Sequence, residues 1–114
     1  MAEIINLPRQ RARERRPIHV EFNPQSFPRQ QFALRMEWNS QLERWTVEIE
    51  HLNLERVVAR GVATAYRAYD YLPFCVFYFA DKTGEAQRVT PRNLQEEMKF
   101  WVSPGPSGRP PEDW

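Results

Sequence analysis

The chain has few of the residues on which most enzyme sites depend. It contains one cysteine and two histidines, Cys75, His19 and His51, and their spacing does not fit a zinc site. None of its four glycines stands in a loop of the kind that cradles a phosphate. A single cysteine forms no internal disulfide, and we expect Cys75, in the most apolar segment, to be a buried small hydrophobe. The sequence therefore predicts no metal, no nucleotide and no other cofactor.

Long apolar runs are also missing. No run approaches the roughly 20 apolar residues of a membrane-spanning helix. The arginines near the N-terminus are followed by no apolar stretch, so we expect no secretory signal. The formal net charge is +1, so the whole molecule has no strong attraction to nucleic acid or to an anionic membrane. We expect no membrane partner, and 114 residues have room for one domain.

Lysine is scarce, because arginine supplies nearly all of the 16 positive charges. Five arginines fall in one N-terminal stretch: Arg9, Arg11, Arg13, Arg15 and Arg16. The rigid guanidinium, with its several donors, suits fixed contacts with carboxylates or phosphates. We interpret residues 1–16 as an extended basic arm, which buries too little apolar area to become ordered before a partner binds it.

The clearest pattern in the chain is an antiparallel hairpin over residues 31–51. Apolar residues alternate with polar ones on both sides of a short turn: Phe32, Leu34, Met36, Trp38, Trp45, Val47 and Ile49. Side chains of a strand point to opposite faces with a period of two, so these residues share one buried face. The residues on the wet face are Arg35, Glu37, Thr46, Glu48 and Glu50. The hairpin indicates a fold class but no chemistry.

Further strands are predicted on both sides of the hairpin. Residues 18–22 alternate between apolar and polar side chains and are bounded by Pro17 and Pro24, which favours an edge strand. Later strands are predicted at 56–64, where Gly61 suggests a bulge, and at 74–80, 85–89 and 97–102. Because residues 74–80 are nearly all apolar, we expect that strand to be innermost, with both faces covered. Residues 65–71 favour either a short helical turn or an aromatic loop.

The predicted fold is all-β, as a small antiparallel barrel or a two-layer sandwich of about six or seven strands. We place the basic arm at residues 1–16, the β domain at 17–103 and a tail rich in proline and glycine at 104–114. Four aromatic residues are assigned to the core or its margins: Trp38, Trp45, Phe74 and Phe77.

No catalytic arrangement is visible. The acid–base and nucleophilic candidates are His19, His51, Cys75 and the carboxylates, and none stands in a catalytic spacing. A cysteine–histidine pair would need a histidine to meet Cys75 in space. Glu48 and Glu50 share a water-facing side of one strand, which is typical of a solvated surface. We predict no catalytic residues and no enzyme activity, and keep a small enzyme built on a β-barrel as the third hypothesis.

The second hypothesis is a nucleic-acid-binding β domain. A flexible arginine-rich arm can neutralise phosphates, and the chain has seven phenylalanines, four tyrosines and four tryptophans for stacking on bases. Most of these aromatic residues fall on buried strand positions, however, and the acidic face of the hairpin would repel a phosphate backbone. Nucleic acid is therefore the less favoured partner.

A succession of short motifs points to a known family. The motifs are Trp38-Asn39, a turn and Trp45-Thr46-Val47-Glu48-Ile49, then Arg60-Gly61, Tyr71-Leu72-Pro73 and Asp81-Lys82-Thr83-Gly84. In their order and spacing, residues 31–102 resemble the baseplate plug proteins of contractile-tailed phages, of the cyanophage type. The resemblance implies a structural virion protein with a small, mostly antiparallel β domain, at the axis of the tail tip beside hub and tube proteins.

Such a protein would act through contacts with other proteins. The expected interface residues are Arg9, Arg11, Arg13, Arg15, Arg16 and Trp114. The arginines would pair with acidic grooves on neighbours, Trp114 would fill an apolar pocket of a neighbouring subunit, and the strand at 17–22 could join a neighbour's sheet. The expected partners are hub, tube or other baseplate subunits, with a homo-oligomeric ring left open. The expected location is the tail of a virion assembled in the host cytoplasm.

Overall fold

The computed structural model describes residues 2–71, 75–84 and 88–104. Within these residues the chain forms eight β-strands, one short α-helix and one 3-10 turn. In chain order, they are β1 (Glu3–Ile5), α1 (Arg9–Arg13), β2 (Ile18–Phe22), β3 (Phe32–Asn39), β4 (Arg44–His51), the 3-10 turn (Leu52–Leu54), β5 (Arg56–Val62), β6 (Tyr69–Tyr71), β7 (Cys75–Ala80) and β8 (Lys99–Pro104).

The strands form two antiparallel sheets of four strands each. The strand order is β1-β8-β7-β6 in the first sheet and β2-β3-β4-β5 in the second. Neither sheet of the described chain closes on itself, and their inner faces share one hydrophobic core. The all-β prediction is confirmed, and of the two architectures left open the structure has the sandwich.

The predicted hairpin is formed by β3 and β4. Its register places Leu34 opposite Ile49, and both side chains are fully buried. The chain reverses where Oδ1 of Asn39 accepts hydrogen bonds from the backbone N–H groups of Gln41 and Leu42, each at 3.0 Å. This local side-chain contact stabilises the turn and so helps to set the register.

Four phenylalanines join the two sheets. Phe22 and Phe32 come from the second sheet, and Phe77 and Phe100 come from the first. The ring centroids of Phe32 and Phe77 are 5.2 Å apart, and those of Phe22 and Phe100 are 5.9 Å apart. Edge-on aromatic pairs of this kind add about 0.5–1.5 kcal/mol to the free energy of burial. The predicted core positions of Phe77 and of Trp45 are confirmed, because both side chains are fully buried.

The N-terminal segment differs from the extended arm that the sequence suggests. Residues 3–5 form β1, which pairs with β8, and the side chains of Ile5, Leu7 and Ala12 are buried. The expectation counted only the apolar area of the segment itself, whereas the rest of the domain supplies the other side of the contact. The division of the chain at residues 16 and 104 stays a prediction.

The expectation that β7 is covered on both faces is wrong. Its inward residues are fully buried, namely Cys75, Phe77 and Phe79. Its other residues, Val76, Tyr78 and Ala80, are partly exposed. The described chain packs a layer against only one face of the first sheet, so an almost wholly apolar strand presents half of its side chains to the outside.

Several smaller predictions can also be compared with the structure. The edge position of β2 is confirmed. The irregular pairing of β5 lies opposite Ile49 and Glu50, not at Gly61. Residues 69–71 form strand β6, where a helical turn or a loop was expected. The last predicted strand is β8, shifted by two residues at each end.

Other predictions fall partly outside the described residues. Phe74 and residues 85–87 of a predicted strand lie there, while Arg88 forms an isolated bridge with Thr64. Trp38 is partly buried and packs at the margin of the core, as assigned.

Candidate interaction surfaces

His51, the first catalytic candidate, lies in the core. Its ring stacks on Phe32, with the ring centroids 4.8 Å apart. Nε2 donates a hydrogen bond to Oε1 of Gln30 at 2.8 Å, and Nδ1 accepts one from the hydroxyl of Tyr71 at 3.0 Å. Burial, with a smaller effect of the charge on Arg56, lowers the pKa of His51. The residue is thus held as a neutral, hydrogen-bonded part of the core.

The other two candidates are not arranged for catalysis. Cys75 is fully buried, and burial raises the pKa of its thiol to about 12, which removes the reactive thiolate at neutral pH. His19 is exposed on β2, with Nε2 3.9 Å from a carboxylate oxygen of Glu21. Both ring nitrogens of His51 bond elsewhere, and no group of described residues could hold a metal ion. No cysteine–histidine pair forms among the described residues.

Two of the predicted interface arginines pair with one carboxylate that is distant in sequence. Arg9 and Arg13 project from α1, and both pair with Glu96, which lies more than eighty residues further along the chain. Nη1 of Arg9 lies 3.4 Å from the carboxylate. The arginine side chains are still more than half exposed, so these pairs contribute little to stability and can exchange partners.

The remaining three arginines of the stretch also contact their own chain. Nε of Arg11 donates to a backbone carbonyl at 2.9 Å. Arg16 pairs with Glu14 at 3.2 Å. The guanidinium of Arg15 lies 5.5 Å from the ring centroid of Trp38, within the range of a cation–π contact. The stretch therefore lies along the domain, with its charges partly engaged and still open to water.

Two further predicted contacts involve the edge strand β2 and Trp114. β2 forms one edge of the second sheet, with β3 as its neighbour, so its other side offers backbone groups to a partner. Trp114 lies outside the described residues.

The outer face of the second sheet is charged, and its charged side chains pair with one another across neighbouring strands. Arg35 on β3 places Nη1 2.8 Å from Glu50 and 3.9 Å from Glu48, both on β4. Arg60 on β5 approaches Glu48 to 3.7 Å. The predicted acidic surface is therefore a cross-strand network in which arginines offset the carboxylates. Such a surface is well solvated and does not call for a partner.

The outer face of the first sheet is apolar and aromatic. The strand register aligns Ile4 of β1, Trp101 of β8 and Tyr78 of β7 in one row across three strands. The rings of Tyr78 and Trp101 lie parallel, with centroids 6.3 Å apart, and Ile4 is 41% exposed. Nε1 of Trp101 donates to the carbonyl of Ala80 at 3.3 Å, which fixes the indole on the surface.

Beside this row lies a groove of about 520 Å³. We call it the outer groove, and its lining residues are Ile4, Ala80, Asp81, Lys82, Thr83, Glu96, Glu97, Lys99 and Trp101. Its floor is apolar and its rim is charged. This combination of an apolar centre and a polar rim is typical of a protein–protein contact surface.

One side of the rim is built on the predicted turn at residues 81–84. The carboxylate of Asp81 accepts hydrogen bonds from the hydroxyl of Tyr66, from Oγ1 of Thr83 and from the backbone N–H of Gly84. The bond from Tyr66 is the main cause that lowers the pKa of Asp81. Gly84 has a φ of +72°, the left-handed conformation that favours glycine at such a turn.

Sequence reasoning missed the outer groove. It assigned Met98, Phe100 and Val102 to one side of the last strand and Lys99 and Trp101 to the other, and this alternation is correct. The apolar run at β7, however, was taken as a sign of cover on both faces. Trp101 offered a signal in the sequence. The alternation of the last strand places this large aromatic side chain on the side opposite the core residues, which indicates an apolar outer surface.

The comparisons with known proteins assign a family. The family model for the cyanophage baseplate Pam3 plug gp18 matches residues 14–105. The chain belongs to this family. Comparison with curated proteins and with solved structures gives no match. The resemblance identified from the sequence motifs is thereby confirmed, and the family match also covers residues 14–30, which the motifs did not reach.

Membership of the baseplate plug family makes the chain a structural protein of a phage tail baseplate, and so a component of the virion tail. The family role implies a structural rather than a catalytic task. Among the described residues, no helix is both long enough and apolar enough to cross a membrane.

Proposed function

We propose that this baseplate plug protein is held in the phage tail by direct contacts with hub, tube or other baseplate subunits, and that it performs no catalysis. The observation that carries the proposal is the aromatic outer face of the first sheet, where Ile4, Trp101 and Tyr78 form one row that no described strand or helix covers. An apolar face of this kind is costly in water and marks an interaction site.

The predicted interface residues have defined tasks in this proposal. The exposed arginines of the N-terminal stretch exchange their weak internal pairs for carboxylates in acidic grooves of neighbouring subunits. Trp114 anchors in an apolar pocket of a neighbour. The edge of β2 adds a neighbour's strand. The protein assembles with these partners in the host cytoplasm.

The nucleic-acid-binding alternative is not favoured. The outer face of the second sheet carries carboxylates beside its arginines, and the formal net charge of the chain is only +1, so the molecule as a whole attracts a phosphate backbone weakly. Binding to a phosphate backbone would weaken steeply with salt. Filter binding of the purified protein at two salt concentrations should detect no such salt-dependent retention.

The proposal is tested in a phage whose own copy of the gene is inactivated and replaced by variants supplied in the host. Ile4→Glu places a charge on the aromatic row, and Leu42→Glu is the matched control on the hairpin turn, where Leu42 is 57% exposed. We expect purified particles to contain the control variant and to lack Ile4→Glu. Equal incorporation of both folded variants would contradict a role for this face in assembly.

A further inference from the structure

The backbone of β2 has one side without a partner strand. Among the described strands, β2 lies at one end of the second sheet, with β3 as its neighbour. The backbone N–H of Leu52 donates to the carbonyl of Gln31 at 2.8 Å, which directs the odd-numbered residues of β3 toward β4. Successive residues of a strand direct their backbone groups to opposite sides, so the even-numbered residues of β3 bond to β2.

The register then shows which backbone groups of β2 are free. The even-numbered Val20 bonds to β3, whereas the N–H and C=O groups of His19 and Glu21 point away from it. The carbonyl of Pro17, two positions earlier, has the same direction and accepts a hydrogen bond from Nε of Arg11 at 2.9 Å. The backbone groups of His19 and Glu21 have no such partner among the described residues.

The space beside this edge is open. A groove of about 660 Å³ lies there, and Leu7, Arg11, His19 and Val20 contribute to its lining. His19 and Glu21 are exposed, and Val20 is only partly buried. At the other edge of the same sheet, the pairing of β5 with β4 is irregular, which makes that edge a poorer template for a further strand. Of the two edges, β2 is therefore the better site for an added strand.

The sequence of β2 is complementary to itself when two copies run antiparallel. A two-fold axis at the middle of the strand places Val20 opposite Val20 of the other copy. Ile18 then lies opposite Phe22, which continues the apolar row of the inner face. His19 lies opposite Glu21, so a ring N–H meets a carboxylate across the strands. The free backbone groups of these two residues also meet, and the two symmetric pairs form four hydrogen bonds.

Other symmetric registers fit less well. An axis at His19 would place Glu21 opposite Pro17, which has no N–H to donate. An axis at Glu21 would place two carboxylates directly opposite each other, which is unfavourable. An axis between two residues would place the free groups of one copy opposite residues whose groups already bond to β3. The axis at Val20 is the one that satisfies both the backbone and the side chains.

We propose that β2 of one copy of this protein pairs antiparallel with β2 of a second copy, about a two-fold axis at Val20. The two second sheets then form one continuous sheet of eight strands. This inference rests on the proposed function, in which the β2 edge adds a neighbour's strand, and it names that neighbour. Two five-residue strands make a small contact, so the dimer should dissociate on dilution.

The first test measures the self-association of the purified full chain by sedimentation velocity over a wide concentration range. We expect monomers at low concentration and dimers at high concentration, because each contact of a two-fold interface is made twice and the assembly then closes. A chain that stays monomeric at every concentration up to its solubility limit would overturn the inference.

The second test uses the facing polar pair. His19→Glu places carboxylates opposite each other twice and should weaken dimerisation by about tenfold or more. The double variant His19→Glu/Glu21→Lys restores opposite charges across the axis and should dimerise again. Arg56→Glu is the matched control, because Arg56 is exposed on β5, and it should dimerise like the unaltered chain. Full dimerisation of His19→Glu, or no recovery in the double variant, would overturn the inference.

The third test examines the register by cross-linking. Position 20 lies opposite itself in a pair whose Cα atoms are about 4.5 Å apart, which is close enough for a disulfide. Val20→Cys should therefore form a disulfide-linked dimer under mild oxidation, visible on a non-reducing gel. Glu21→Cys is the matched control, because its two copies are offset by two residues along the strands and should not cross-link. The native Cys75 is fully buried and does not compete.

Failure of Val20→Cys to cross-link, or more cross-linking of Glu21→Cys than of Val20→Cys, would overturn the inference. These tests use purified protein and are independent of the phage complementation experiment. Absence of dimers together with loss of Ile4→Glu from particles would remove this inference and leave the proposed function standing. Dimers together with normal incorporation of Ile4→Glu would do the reverse.

Discussion

The outer faces of the two sheets arise from the same strand alternation but differ in the chemistry of their side chains. On the second sheet, Arg35 and Arg60 offset the carboxylates of Glu48 and Glu50. On the first sheet, the stacked rings of Trp101 and Tyr78 meet the outside. The first arrangement is complete within one chain, whereas the second exposes apolar area that a partner can cover. The comparison shows that this protein has one charged outer face and one apolar, aromatic outer face.

The largest expected effect compares the two faces of β7 at adjacent residues. Phe77→Ala removes a fully buried ring that touches Phe32 of the opposite sheet, so it should lower the free energy of unfolding by about 3–5 kcal/mol. Tyr78→Ala changes the outer face and should cost about 1 kcal/mol. Urea unfolding of both variants measures the difference. Equal losses would mean that the first sheet has no distinct inner and outer face.

A smaller effect of the same kind is expected in β1. Ile5 is buried and Ile4 is 41% exposed, so Ile5→Ala should cost about 2–3 kcal/mol and Ile4→Ala about 0.5 kcal/mol. Thermal unfolding of the two variants measures both. If Ile5→Ala were without effect, the N-terminal segment would behave as the detached arm that its composition suggests.

The pH dependence of stability should distinguish the buried histidine from the surface histidine. The pKa of His51 lies below its ordinary value of 6.5 in the folded protein, so the unfolded chain binds the proton more readily. Stability is therefore complete above pH 6.5 and falls as the pH drops below it. Urea midpoints measured from pH 7.5 downward should show this fall.

Two variants assign the pH effect. His51→Gln should be less stable at neutral pH and should lose this part of the pH dependence. His19→Gln is the control, because His19 is exposed on the outer side of β2, and it should keep the slope. Retention of the full slope by His51→Gln would assign the pH dependence to other groups.

The smallest expected effect is on the charged face itself. Arg35 and Glu50 lie 2.8 Å apart and both remain partly exposed, so a double-mutant cycle with alanine should give a coupling of about 0.5 kcal/mol. Added salt should reduce it further. A coupling of several kcal/mol that added salt does not reduce would contradict the weak, solvated pairing inferred for this face.

Local pattern explains why the hairpin was predicted correctly and why the groove was not. From Phe32 to Ile49 the alternation, the turn and the register all depend on residues near one another in sequence. The pairing of Arg9 and Arg13 with Glu96 joins residues more than eighty positions apart, and no local pattern reports it. The same holds for β1, whose partner strand lies at the other end of the domain.

The sequence by itself determined the strand class, the two faces of the hairpin, the lack of a catalytic spacing and the family, because these follow from side-chain alternation and short motifs. Only the tertiary structure decided which face of the apolar strand β7 is covered. It also decided that the N-terminal segment joins the first sheet and that both lysines meet at one groove. The reason is that burial depends on which layers pack together, and a strand's own residues do not record whether a second layer will cover it.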